Sequence, residues 1–378
     1  MSKYTVAQII TQHNLLKRRS KQLKRGKDIE LLAGERVYVA IDVHKKNYHV
    51  AMWSKDRDVL VGYWYQPSCP EALSRSLLKY KEHVVHVVYE ASYFGYILVR
   101  VLRNHGFNAD VIAPSLVLTL QTREEKSDRI DCTMLSFMDS KGLLRKIQVP
   151  TIQEDADRQL SRFREQTARK QRRVKQHIKS FLTYHGIPHP VGLKDWANYA
   201  IQTLRELKLN DELWFCLDGL LDELDFLRRQ IKRINKQLRS LMKTDRHVPV
   251  AKILSTIPGV GLITISIFRT EILAIERFRN EREVSKMCGL APLVRRSEDT
   301  SRHGKLMKVG NQRVRTVLIE AAWRLVHLDP TMQARFLKLH QTTGNSNKAI
   351  AGIARRLAIV MWHMSVRREP YRITHQEN

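Results

Sequence analysis

The alternation of apolar and polar positions changes character three times along this 378-residue chain. From residue 37 the pattern is that of short strands. VYVAIDV (37–43) and YHVAMW (48–53) are β-rich runs joined by the polar turn HKKN, a hairpin signature. VVHVVYEA (84–91) is almost wholly apolar, as expected of a strand covered on both faces. YILVRVLRNHG (96–106) has helical spacing and stops at Gly106, and NADVIAP (108–114) is a further strand stopped by Pro114. Residues 123–141 read as a helix, charged at first and then apolar. Strands paired first in a hairpin, then alternating with helices, predict a mixed sheet with helices packed on it.

Beyond residue 150 the period becomes helical. Leu217, Leu220, Leu224, Leu227, Ile231, Ile234, Leu238 and Leu241 follow steps of three and four without a break, a heptad seam among mostly charged and amide positions. Arg158–Leu182 carries nine Lys or Arg and one acid, with a weaker seam at Leu160, Phe163, Val174 and Phe181. Two such helices can pair antiparallel within the chain or across a dimer, and the pattern allows both. From residue 249 the chain reads as a compact helical part. ILSTIPGVGLITISIF (253–268) has the form helix, Gly-rich turn, helix. Gly310-Asn311 precedes one amphipathic helix and GNSNK (344–348) precedes another, while residues 292–313 are polar, basic and loop-like. No repeat recurs at a fixed period. The divisions expected are therefore a basic arm (1–36, nine Lys or Arg against three acids), an α/β region (37–150), a helical coiled-coil region (151–248) and a helical C-terminal region (249–378).

Charge narrows the function. Lys plus Arg number 66 against 38 acids, a net charge of +28. Such an excess repels itself in a folded chain and implies a polyanionic partner, nucleic acid first and a membrane surface second. The four cysteines (Cys69, Cys132, Cys216, Cys288) form no CxxC pair, which argues against a zinc finger or a disulfide scaffold and fits a reducing compartment. No apolar run approaches the ~20 residues of a membrane span, and the N-terminus lacks a secretory h-region. The expectation is a soluble, cytoplasmic protein associated with nucleic acid.

Four carboxylates stand out by position. Asp42 and Glu90 each lie at the end of an otherwise apolar β-run, where an unpaired charge costs stability. Asp128 and Asp131 are three apart in EEKSDRIDCTML and share a helix face. Strand ends of α/β sheets are where ligand sites concentrate. Carboxylates gathered there repel one another unless cations lie between them, and hard oxygen donors suit Mg²⁺ or Mn²⁺. His44 and His49, which flank the turn between the first two strands, read as surface residues. In the C-terminal region, the glycines of IPGVG permit a tight turn and expose N–H groups at the next helix, a phosphate site in form (Pro258, Gly259, Gly261). Arg295, Arg296, Arg302, Lys305, Lys308 and Arg313 are placed to meet phosphate.

These segments resemble a known family. AIDVHKKNYHVA, VVYEASYFGYILVRVLRNHGFNADVIAPSLV and KSDRIDC resemble the catalytic domain of DEDD transposases of the insertion sequence 110 family. ILSTIPGVGLITISIFRTEI and KMCGLAPLVRRSEDTSRHGKLMKVGNQRVRTVLIEAAW resemble that family's C-terminal transposase domain. The resemblance implies an α/β plus all-α architecture: an RNase H-like (RuvC-type) domain, a helical coiled-coil insertion, and a helical C-terminal domain with a helix-hairpin-helix-like element. It implies Mg²⁺, with Mn²⁺ as a substitute, held by Asp42, Glu90, Asp128 and Asp131. The family pattern GLAPxxxSSG, aligned from Gly289, places the nucleophile at Ser297, where this chain reads Arg296-Ser297-Glu298 rather than Ser-Ser-Gly; Ser301 is the reserve candidate. By resemblance the protein excises and integrates its element through a covalent phosphoserine. Its partners are donor and target DNA, an element-encoded bridge RNA and further copies of itself, dimer or tetramer. The catalytic halves are expected to meet between subunits. Two rivals are a RuvC-like metal-dependent structure-specific nuclease with no covalent step, and a non-enzymatic nucleic-acid binder.

Overall fold

Five strands, β1 (Val37–Val43), β2 (Asn47–Ser54), β3 (Val59–Pro67), β4 (Val84–Glu90) and β5 (Ala109–Ile112), form one sheet in the order β3-β2-β1-β4-β5. β1, β2 and β3 are an antiparallel meander; β4 and β5 run parallel to β1. The computed structural model describes residues 29–92, 94–113, 128–297, 300–307 and 309–372, and the chain divides into two units, Met1–Pro150 and Thr151–Asn378. The basic arm to residue 28 and the 123–127 start of the expected helix lie outside the described residues.

Strict alternation in β1 sends its side chains into two different cores. Val37, Val39 and Ile41 join Val87, Tyr89 and Val111 against helices α1 (Pro70–Leu78) and α2 (Ile97–Asn104). Ala40 joins Val88, Ile112, Cys132 and Phe137 on the opposite face, which α3 (Asp128–Ser140) covers. Helices on both faces explain why β4 shows no polar alternation over Val87–Tyr89. Two elements were not anticipated. β3 follows a charged turn and is broken in pattern by Gly62, and α1 is introduced by Pro70 at its first turn. This unit is a mixed α/β domain compatible with an RNase H-like fold.

The second unit opens with α4 (Ile152–Tyr184), whose start is fixed by a capping box of Thr151 and Glu154. It packs antiparallel on α6 (Asp211–Met242). Asp157 near the start of α4 bonds Arg246 and His247 just past the end of α6, while Val174, Ile178 and Leu182 pack with Leu217, Leu221 and Leu224. The short helix α5 (Asn198–Arg205) and Trp196 close that end. The heptad register differs from expectation at two positions: Leu220 and Ile231 are only half-buried, and Leu221 is fully buried because α6 turns one flank toward α5 as well as α4. Phe163, assigned to the seam of α4, is 47% exposed, and its neighbourhood buries Asp157, Arg158, Ser161 and Thr167 instead.

The remaining core joins the end of α6 (Ile234, Leu238, Leu241) to α7 (Val248–Leu254), α8 (Leu262–Glu271), α9 (Glu281–Met287), α10 (Gln312–Leu328), α11 (Pro330–Thr343) and α12 (Ser346–Arg367). α12 is long and apolar enough to cross a membrane by length and composition, but its Ile350, Ile353, Ala354, Leu357, Ala358 and Met361 are buried in this core. Residues 292–306, expected as a loop, form a hairpin of β6 (Pro292–Ser297) and β7 (Thr300–Leu306).

Candidate active site

Asp42 and Glu90 end neighbouring parallel strands. The β1–β4 register pairs Ile41 with Tyr89, so the next residues, Asp42 and Glu90, extend the same ladder. Ile41 and Tyr89 face the α1/α2 core, so both acids belong to the face that carries Ala40 and Val88 under α3. Glu90 is exposed and its backbone is held by pairing with Ile112 of β5. Asp42 is 29% exposed and its Oδ2 lies 3.1 Å from Nε2 of the exposed His44. His49 is half-buried, its Nδ1 2.7 Å from the Tyr63 hydroxyl, and its ring stands 5.8 Å from that of His44.

α3, whose first turn contains Asp128 and Asp131, packs on this face. Its docking is fixed by Cys132, whose buried thiol lies 3.0 Å from the carbonyl of Ala40, two residues before Asp42 on β1, and 3.2 Å from that of His49, the β2 residue paired with Asp42. Burial, with the Asp42 and Asp131 charges nearby, pushes that thiol pKa up, so Cys132 is a neutral donor and not a thiolate ligand. Asp131, exposed, directly precedes it in the first turn of α3. The Asp128 side chain lies outside what is described. The donor set matches a hard cation chemically, yet among the described residues no three carboxylate, imidazole or thiol groups approach closely enough to share an ion.

In the second unit, Ser297 pairs with Thr300 and Ser301 pairs with Arg296. Both serine candidates therefore sit at the closed end of the same hairpin. Arg295 pairs with Arg302, and Lys305 is within β7; Lys308 lies outside the described residues. The base of the hairpin is pinned. The Met307 N–H donates to the Ala291 carbonyl, and a Cβ at Gly310 would stand 2.3 Å from the Lys286 carbonyl oxygen and 2.5 Å from the Gly289 nitrogen. Gly310 has φ +98°, so any side chain there is excluded twice over.

A buried network beneath this base was not foreseen. Glu271, 2% exposed at the end of α8, receives two bonds from Arg162 (2.7 and 3.0 Å) and one from Asn311 Nδ2 (2.8 Å). Burial raises its pKa, but Arg162, Asn311 and Arg158 outweigh that and hold the carboxylate below its usual range. Asn311 also caps α10 through the Arg313 and Val314 N–H groups. Arg313, expected on phosphate, has Glu165 as an intramolecular partner at 2.7 Å. An acid closing the apolar run ITISIFRTE is the same signal that marks Asp42, and would have marked Glu271 too.

The IPGVG turn joins α7 to α8. Pro258 and Gly259 are half-buried; Gly259 has φ +79° and packs where a Cβ would meet Arg324 Cβ at 2.7 Å, so this glycine serves contact with α10. Gly261 is exposed with open space around it, and it starts α8 without a side-chain cap.

Comparison with known proteins fits this arrangement. Residues 39–186 match a family model described as a transposase, of the DEDD type found in IS110 elements, and residues 251–337 match the model "Transposase IS116/IS110/IS902 family". A Sinorhizobium fredii chain named as a transposase is 28% identical over 86% of this chain and 87% of its own length. The transposases of IS1533 from Leptospira borgpetersenii (24%; 76% and 85%) and IS1328 from Yersinia enterocolitica (22%; 86% and 95%) are similar along most of both chains. The class defined is a DNA transposase, an enzyme whose catalytic domain implies dependence on a divalent metal ion. The chain belongs to the IS110 family of transposases.

Proposed function

We propose that this transposase excises and integrates its insertion sequence through a phosphoserine, with Asp42, Glu90, Asp128 and Asp131 holding Mg²⁺ in a RuvC-type domain and Ser297 as nucleophile. The observation that carries the reading is the placement of Asp42 and Glu90 on one face of adjacent strand ends, beneath a helix whose first turn contains Asp128 and Asp131. The Ser297 oxygen forms a bond to phosphorus while the bond to the 3′ oxygen breaks; the serine gives its proton to a base and the 3′ oxygen takes one up. The phosphoserine keeps the ester energy, so a second 3′ hydroxyl attacks phosphorus and frees the serine without ATP. When bound, a divalent cation neutralises charge on the phosphoryl and leaving oxygens. The pinned Gly289/Gly310 base limits where the hairpin can present its serine. The open N-terminus of α8 after Gly261 supports a helix-hairpin-helix-like grip on DNA backbone, and the arginines and lysines of 295–313 add phosphate contacts of their own.

The same reading includes guidance by an element-encoded bridge RNA, which the +28 charge supports, and assembly into a homo-oligomer. Tyr184 (85% exposed) and Phe215 (81%), where α4 ends and α6 begins, support a protein contact at that tip. The four-part division at 36, 150 and 248 goes with this assignment of roles.

The test is a covalent-adduct assay on protein co-expressed with its element ends, given labelled donor and target DNA with Mg²⁺ and denatured in SDS. Label should remain on the parent and vanish in Ser297→Ala and Asp42→Ala. Loss in Ser301→Ala but not Ser297→Ala moves the nucleophile. Cleaved DNA without any adduct replaces this mechanism by that of a RuvC-like nuclease.

A further inference from the structure

A cleft of about 380 Å³ opens between α11, α12 and the chain segment 369–372. None of the acids or serines discussed above lines it. Its rim is cationic: Arg335 on α11, Arg356 and Arg367 on α12, and Arg372 on the segment, all exposed. None of the four is ion-paired among the described residues. Its floor is apolar, with Met332 and Met364 each under a tenth exposed and Val360 half-buried. Arg356, Val360, Met364 and Arg367 fall at steps of four, four and three, a single stripe of α12 that opens into the cleft.

The fourth wall is held in place. The Tyr371 hydroxyl donates to Asp329 Oδ2 at 2.5 Å, and its N–H donates to Thr256 Oγ1 at 2.8 Å. Asp329 Oδ1 in turn accepts the Met332 N–H at 3.0 Å, capping α11. Both oxygens of this buried carboxylate are thus engaged by Tyr371 and Met332, and none of the four rim arginines is ion-paired to it. Glu369 is the one acid of the lining.

We propose that this cleft binds single-stranded DNA, taking one unstacked base onto the Met332/Val360/Met364 floor while Arg335, Arg356, Arg367 and Arg372 hold the flanking phosphates. A phosphate alone has no use for an apolar floor. A duplex presents phosphates on a convex surface and keeps its bases stacked, so it cannot fill a concavity of this size. A single strand offers both chemistries at once. Strand exchange by a DNA transposase exposes such strands, and a site of this kind keeps one from re-pairing before it is joined.

The full-length protein is irradiated with a single strand carrying 4-thiothymidine, and the adduct is mapped by mass spectrometry. Crosslinks are expected on the peptides containing Met364 or Tyr371. An unlabelled strand with one abasic position opposite the label should compete about tenfold less well than the intact strand, as expected for loss of one stacked base. Arg335→Gln/Arg356→Gln should lower the yield about tenfold and reduce the salt slope by about 0.7 per lost contact; Arg335→Lys/Arg356→Lys should retain most of it, and Lys208→Gln, in the exposed link between α5 and α6 and outside the cleft lining, all of it. Equal labelling of these peptides by a duplex, a tenfold preference for RNA, or crosslinks confined to other peptides overturns the proposal.

Discussion

His86 shows how a single residue is held in this protein. Its Nδ1 lies 2.7 Å from Asp139 Oδ2 on α3 and its Nε2 3.0 Å from Asp110 Oδ2 on β5; Lys146 and Arg103 face Asp110 from the other side. Burial alone would lower the imidazole pKa, but Asp139 and Asp110 outweigh burial and raise it above 6.5. The sign follows. A pKa raised on folding gives stability that is complete below 6.5 and is lost as pH climbs through the folded value. The His86→Gln variant takes the imidazolium from the buried Asp139 and leaves Asp110 to Lys146 and Arg103, and should lose about 3 kcal/mol at pH 6. In thermal melts across pH 5.5–9, the gap between parent and variant should narrow as pH rises; a gap independent of pH would mean that His86 binds its proton equally well in the folded and unfolded states. Asp42 and Glu90 were legible in the sequence because each interrupts an apolar run. Asp157 was not: its partners Arg246 and His247 lie 89 and 90 residues away, and one acid near a helix start looks like any first-turn carboxylate.

Elements were legible where their pattern is set by burial alone. The β1–β2 hairpin, β4, β5 and α2 follow from runs whose apolar residues mostly face a core, with Val85 and Ile97 as exposed exceptions. The β6–β7 hairpin does not, because RRSEDTSRHGK has no apolar alternation; its strands exist through tethering at Gly289, Ala291, Met307 and Gly310. On α6 the steps of three and four place Leu220 and Ile231 in the seam, but both are only half-buried, and beside Leu220 it is Leu221 that is fully buried. Truncating a fully buried leucine removes transfer energy and leaves a cavity, so Leu221→Ala should cost about 2–5 kcal/mol, whereas Leu220→Ala, half in solvent already, should cost under half as much. Chemical denaturation of the two variants decides it; equal losses would put both leucines in the seam.

Over the whole molecule, the arrangement of cores matters more than the count of elements. Two cores flank the five-stranded sheet within Met1–Pro150, and two others lie within Thr151–Asn378. The second pair is threaded by one continuous helix: α6 contributes Leu217–Leu227 to the first and Ile234–Leu241 to the other. Helical periodicity carries no mark of that passage, since a helix shows the same spacing whichever core it faces, so the shared core past residue 248 was not readable from the pattern. A chain whose cores are separate on either side of Pro150, and shared through α6 after it, should unfold in two steps and not in three or four. Residues 1–150 and 151–378, expressed separately, should each melt cooperatively, and the full chain should show both transitions in calorimetry. A fragment ending at residue 248 should lose the cooperative melt, because it strips Ile234, Leu238 and Leu241 of the partners that bury them. A single transition for the full chain, with neither half folding alone, would show instead that the two units depend on each other for stability.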